Sequence, residues 1–277
     1  MTATGIVVGY DGSADADQAV AWAAREAQGR SCPLTVCLAQ RPPDQTVPAE
    51  PVEPRSGSNQ ELLARGLRLA CDLIGSEAVR PLYAAGSPAA VLCRCAESAE
   101  MIVLGSRGRG GLPQMPLGSV SLQVAAHAHG RVVVVRGHWR PVPGQPPRPI
   151  VVGCDGSSGS RAAVQFAFDE AALRDTCLVA VCALADAPGS LGGAGQIRAD
   201  FQHIMSAQER ARPEILVNQQ VCEGTARTAL LEATRDAQLL VLGARGRCGL
   251  PGMPLGSASL TLLSHARCPV AIVHADD

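Results

Sequence analysis

Short apolar runs alternate along this chain with longer stretches in which apolar positions recur every three or four residues. The short runs, rich in Val, Ile and Leu, predict strands over 5–10, 34–39, 79–84, 101–105 and 131–136, and again over 149–154, 177–183, 215–221, 239–243 and 269–274. The stretches between them have helical spacing. Ala16, Ala19, Val20, Ala23 and Ala27 form one apolar stripe; Leu62, Leu63, Leu69, Ala70, Leu73 and Ile74 form another. Ser87-Pro88 reads as an N-cap followed by proline at the first helical position, and Thr225 takes the cap role in the later half.

Near-continuous apolar strands separated by amphipathic helices imply parallel sheets covered on both faces. The predicted fold class is α/β: two tandem doubly wound domains, each a five-stranded parallel sheet of order 3-2-1-4-5 with helices on both faces. In such a sheet ligands bind beyond the C-terminal strand ends, where strand order reverses. With this order, strands 1 and 4 flank that point in each domain.

The pattern repeats because the chain is a duplication. Ile6-Val-Val-Gly-Tyr-Asp-Gly-Ser13 matches Ile150-Val-Val-Gly-Cys-Asp-Gly-Ser157, at an offset of 155 − 11 = 144. A second shared motif, G-x2-G-x9-G-S, covers Gly105, Gly108, Gly118 and Ser119, then Gly243, Gly246, Gly256 and Ser257, at an offset of 243 − 105 = 138. The first half therefore carries six extra residues between the motifs, assigned to the Pro-rich stretch 41–54, which reads as a surface loop. A period this long means two whole domains. The prediction is one domain over 1–137, a Pro-rich linker over 138–148 and a second domain over 149–277, each near the common single-domain size of about 100–150 residues.

Composition narrows the function classes. The chain is 47% hydrophobic and 18% charged with net charge −1, which gives no support for binding nucleic acid or membrane surfaces. Aromatics are 3%, too few for a base-stacking platform, so the cores must be built from Ala, Val and Leu. Eleven scattered cysteines read as small buried hydrophobes of a reducing compartment, and Cys93-x-Cys95 does not face one helix side. With no basic, apolar N-terminal signal and no run near the ~20 residues a membrane span needs, the expected location is cytoplasmic.

Each G-x2-G-x9-G-S motif follows a strand and precedes a helix. Glycines let backbone N–H groups approach an anion, and a helix N-terminus adds partial positive charge, so the motif predicts a phosphate cradle. Asp11 and Asp155, at the ends of the first strands, should converge on the same crevice. Ser119 and Ser257 read as helix caps that can also donate to phosphate, and Arg107 and Arg245 as charges placed to neutralise it. His127 and His265 match late in a helix, where packing or a charge at the helix C-terminus outweighs catalysis. There is no Walker lysine, no Ser/His/Asp pattern and no carboxylate cluster beside the loop, so fast phosphoryl transfer is not expected there.

These residues resemble the universal stress protein family in its tandem two-domain, ATP-binding form, over nearly the whole chain. The resemblance implies ATP, or ADP or AMP, in each half, with Mg2+ able to bridge the phosphates. It implies ribose contacts from Asp11 and Asp155, and adenine contacts from the backbone at Ala39 and Ala183. Gly105, Arg107, Gly108, Gly118, Ser119 and Val120 take the phosphate-loop positions, as do Gly243, Arg245, Gly246, Gly256, Ser257 and Ala258. Ala258 departs from the family's G-S-V, and Cys248 replaces the glycine found at 110. The resemblance further implies a regulatory role through conformation or protein partners, and an intramolecular pseudo-dimer of the two halves through their apolar fifth strands, with a homodimer as a further option. A slow ATPase and a nucleotide-independent, chaperone-like interaction module are the alternatives.

Overall fold

Ile6-Val-Val-Gly9 places three β-branched residues in succession, and each is fully buried, as the central strand of a sheet covered on both faces requires. That strand, β1 (Ile6–Gly9), organises the first half of the computed structural model. The structure describes residues 5–40, 50–51, 57–110, 115–136, 146–184, 191–247 and 253–275. After β1 come α1 (Ala14–Arg30), β2 (Leu34–Gln40), β3 (Glu50–Pro51), α2 (Gly57–Ile74), β4 (Val79–Ala85), α3 (Pro88–Ala96), β5 (Met101–Gly105), α4 (Ser119–His127) and β6 (Arg131–Val135). The strands lie in the order β3-β4-β2-β1-β5-β6. All pairs are parallel except β3 with β4, and Ile6 stands between Leu34 and Met101. Helices α1 and α2 pack together, and α3 packs with α4.

The second half repeats the plan with β7 (Ile150–Gly153), α5 (Ser158–Leu173), β8 (Leu178–Ala183), α6 (Leu191–Ala211), β9 (Val217–Cys222), α7 (Ala226–Ala233), β10 (Leu239–Gly243), α8 (Ser257–His265) and β11 (Val270–Val273). Its order is β9-β8-β7-β10-β11, every pair parallel. The predicted 3-2-1-4-5 order holds in each half. The compact units are Met1–Val135 and Arg136–Asp277. Residues 137–145 of the predicted linker lie outside the described residues.

Three local differences from the sequence reading have physical causes. β9 begins two residues later than expected, because Ile215 closes a turn onto the Arg212 carbonyl (3.2 Å) and pairing starts only where the Leu216 carbonyl receives the Leu178 N–H (2.9 Å). The Pro-rich stretch read wholly as loop contributes β3, a two-residue strand antiparallel to β4; the rest of that stretch lies outside the described residues. The third is at the caps. Ser13, Ser157 and Thr225 accept from N–H groups three residues on, at 3.1, 3.2 and 3.4 Å, whereas Ser87 occupies its N-cap position without a side-chain bond.

A feature the periodicity did not reveal is a buried acid in the first helix of each half. Glu26 is 4% exposed and Glu170 0% exposed, and both are at equivalent positions (170 − 26 = 144). Each is paired one turn later, Glu26 with Arg30 at 2.7 Å and Glu170 with Arg174. Among the described residues no helix is long and apolar enough to cross a membrane.

Candidate functional site

Each crevice begins with a clamp between two loops. Gly9 ends β1, and the chain turns through Asp11 and Gly12 into α1. Gly12 has φ 78°, a conformation glycine adopts without strain, and so does Gly156 at φ 79°. One Asp11 carboxylate oxygen accepts the Ser13 N–H at 3.0 Å; the other accepts the Arg109 N–H of the glycine loop at 2.9 Å. In the second half Asp155 accepts from Ser157 at 3.0 Å and from Arg247 at 2.7 Å. A β-carbon at Gly108 would lie 2.5 Å from the Asp11 carboxylate, and one at Gly246 would lie 2.4 Å from that of Asp155. Those glycines therefore make room for the clamp.

The strand-ending glycines answer to a different neighbour. A β-carbon at Gly105 would come within 2.6–2.9 Å of the Asp15 and Ala16 backbone, and at Gly243 within 2.7–3.1 Å of the Gly159 and Ser160 backbone. These positions admit the first turn of α1 or α5 against the strand end. Gly118 and Gly256 are less crowded, with nearest approaches of 3.4 and 3.6 Å. They are the N-caps of α4 and α8, which makes Ser119 and Ser257 the first helical residues rather than the caps expected from sequence. Glycine has no side chain with which to cap, so neither helix start has a side-chain cap from its own N-cap residue, and the first-turn residues 119–121 and 257–259 line the crevices. The serine two residues further on serves the fold: Ser121 Oγ donates to the Gly105 carbonyl at 2.7 Å and Ser259 Oγ to that of Gly243 at 3.0 Å.

In the first half these elements surround a cavity of about 430 Å³. Asp11, Ala39, Gly105, Arg107, Gly108, Gly118, Ser119 and Val120 all line it. In the second half Asp155, Ala183, Gly243, Arg245, Gly246, Gly256, Ser257 and Ala258 line a cavity of about 250 Å³. All sixteen residues singled out in the sequence thus stand on one of two walls, eight in each half. The floor is apolar, with Leu92 and Leu104 in one half and Leu230 and Leu242 in the other.

The sequence reading missed the means by which each glycine loop is tied down. In the first half Asp15 accepts from Ser106 Oγ (2.7 Å) and the Arg107 N–H (3.0 Å), and pairs with Arg107 Nε at 3.5 Å. The equivalent residues in the second half, Gly159 and Ala244, carry no such groups; there the loop is tied by Arg247, which pairs with Asp200 on α6. The signal was present as paired substitution between the halves, Asp15 with Ser106 against Gly159 with Ala244. Only the fold shows that these residues meet. Tyr10, on the first cavity wall, is pushed up to about 12 by burial and by donating its hydroxyl to Asp17. His127 and His265 place Nδ1 2.9 Å from the carbonyl one turn back, at the exposed ends of α4 and α8, away from either cavity.

A family model described as the universal stress protein family matches residues 4–136 and again 147–274. Universal stress protein Rv2005c of Mycobacterium tuberculosis is 36% identical over 285 residues, covering 97% of this chain and 96% of that protein. Universal stress protein Rv2623 of the same organism is 34% identical over 284 residues, 97% of this chain and 95% of its own length. A solved universal stress protein from Archaeoglobus fulgidus aligns over 99% of this chain and 97% of its own with a TM-score of 0.72 at 17% identity, a likeness of fold. Two matched domains in one chain, and full-length relatives of the same extent, show that this protein belongs to the universal stress protein family and carries its domain twice.

Proposed function

We propose that each half binds one adenine nucleotide, ATP or its diphosphate or monophosphate, and that occupancy acts as a regulatory signal through conformation or partner choice. The observation that carries this reading is the uncapped N-terminus of α4 and of α8, opening onto a cavity beside a glycine loop. Backbone N–H groups at a helix start and the positive end of the helix dipole favour an anion there, and Arg107 and Arg245 add charge at the rim. The apolar floor suits a flat base, and Asp11 and Asp155 sit between floor and loop, in reach of a ribose. The first cavity, at about 430 Å³, falls within the roughly 300–1,000 Å³ typical of small-molecule sites.

The chemistry of the walls favours binding over turnover. Among the described residues Asp11 and Asp155 are the carboxylates lining the crevices, and both oxygens of each already accept a backbone N–H. A carboxylate engaged in this way holds a loop in place and is poorly placed to take a proton from water. Among the described residues no three His, Cys, Asp or Glu side chains gather to hold a metal ion. Mg2+ would therefore arrive with the phosphates.

The test is calorimetry with ATP on the full chain and on Gly118→Val with Gly256→Val. A β-carbon at either position fits in ordinary contact, so the fold should survive while the branched carbons obstruct the helix N-terminus. Two nucleotides per chain are expected for the natural sequence and none for the double variant. Unchanged affinity in the variant removes the proposal. Hydrolysis should run far below the median enzyme value of about 10 per second; a rate near that value, lost in the variant, would make the protein an ATPase instead.

A further inference from the structure

The two crevices share a design, yet α6 intrudes on the second as α2 does not on the first. Ile197 of α6, 5% exposed, lines the second cavity. One turn on, Asp200 packs its β-carbon against Gly156, where a substituent at 156 would lie 2.6 Å away, and pairs with Arg247 of the glycine loop. Arg247 also donates to the Gly156 carbonyl at 3.4 Å, and Gln196 donates to the other Asp200 oxygen at 2.8 Å. In the first half the residue against Gly12 is Leu62, which carries no charge. The glycine-loop tie there runs to Asp15 on α1, a helix already joined to the crevice through Asp11 and Ser13. Among the described residues, none of α2 lines the first cavity. The second cavity is the smaller by 430 − 250 = 180 Å³ and lies below the range of about 300 Å³ upward usual for ligand sites.

We infer that Ile197 and Asp200 form a latch holding the second site narrowed, and that a phosphate-bearing nucleotide must draw Arg247 away from Asp200 to enter. The inference rests on the nucleotide reading for its ligand but not for its mechanics. Arg247 is the point of competition: its guanidinium serves either the carboxylate of α6 or an anion at the glycine loop. The Gln196 amide and the Arg247 guanidinium hold the Asp200 carboxyl below the usual carboxylate range, so Asp200 is ionised and the competition is present at neutral pH. The two halves of one chain then respond at different nucleotide concentrations, the first filling before the second.

The experiment compares the full-length protein with Asp200→Asn and with Ile197→Ala. Without ligand, hydrogen exchange should quicken over 243–247 in Asp200→Asn and stay unchanged over the equivalent 105–109. With ATP, titrated on a Gly118→Val background that blocks the first site, Asp200→Asn should tighten the second site about two- to fivefold, the scale of a partly exposed ion pair. Ile197→Ala should tighten it by enlarging the entrance. If exchange over 243–247 does not change in Asp200→Asn, the latch is wrong whether or not nucleotide binds. If exchange quickens while the second-site affinity stays the same, the pair does not oppose entry and the inference falls. If exchange quickens and ATP binds neither site in any form of the protein, the latch stands and the nucleotide reading falls.

Discussion

Glycines that look alike in sequence do different work at the level of single residues. Gly105 and Gly243 exist because helix backbone lies where a β-carbon would go, Gly108 and Gly246 because a carboxylate does, and Gly118 and Gly256 stand at the N-caps of α4 and α8. These roles predict different costs. In Gly105→Ala the new carbon meets backbone atoms at 2.6–2.9 Å, which cannot rotate away. Overpacking of this kind costs about 1–3 kcal/mol, read as a fall in the urea midpoint. Gly118→Ala, with its nearest neighbour at 3.4 Å, should lower the midpoint less, by the roughly 0.5–1 kcal/mol that alanine costs at an N-cap. Equal destabilisation by the two substitutions would show that the close approach at Gly105 is relaxed in solution.

Among the elements, α1 and α5 carry most of the consequence. Each caps itself with a serine, presses its first turn on the strand-ending glycine and buries a glutamate three turns in. The glutamate is tolerable because an arginine one turn later meets it; Arg174 itself is only partly exposed at 14%. Removing one member of a buried ion pair costs about 3–5 kcal/mol. Arg174→Ala should accordingly lower the unfolding free energy of the second half by that order in chemical denaturation. Glu170→Leu with Arg174→Leu should recover most of the loss, because an apolar pair of similar volume leaves no buried charge. If the single and double variants unfold at the same denaturant concentration, the pair is not the reason for the loss.

Across the whole molecule, the cores are built of Ile, Val, Leu and Ala with the few aromatics buried among them (Phe166, Phe168 and Phe201 in the second half), and buried cysteines fill small gaps. All ten cysteines among the described residues are free thiols. Burial pushes Cys182 and Cys268 up from 9.0 to about 12. Above pH 9 the unfolded chain loses these protons while the folded chain keeps them, so the stability tied to the neutral thiols is full below pH 9 and is lost as pH rises toward 12. The melting temperature should therefore fall across pH 9–12, with a shallower slope in Cys182→Ala with Cys268→Ala. An unchanged slope in that variant would assign the alkaline loss to other groups, such as Tyr10, which titrates in the same range.

Sequence alone determined the fold class and the duplication, and it named eight of the residues that line each crevice. It could do so because each rests on local pattern: apolar runs of strand length, helical spacing, and glycines in fixed order after a strand. Strand order then carried Asp11 to Gly108 and Asp155 to Gly246, since the central strand must end beside the fourth. What only the tertiary structure decided are contacts between residues far apart with no motif of their own. Asp15 meets Ser106 across 91 positions, and Asp200 meets Arg247 across 47, because the helix holding each acid packs beside the glycine loop. Ser119 and Ser257 could not be separated from caps by composition, since a cap is defined by where helical backbone begins, one residue earlier at glycine. The motifs themselves already differ at Cys248 and Ala258, but only the structure shows that Ile197, on α6 and outside the motifs, lines the second cavity.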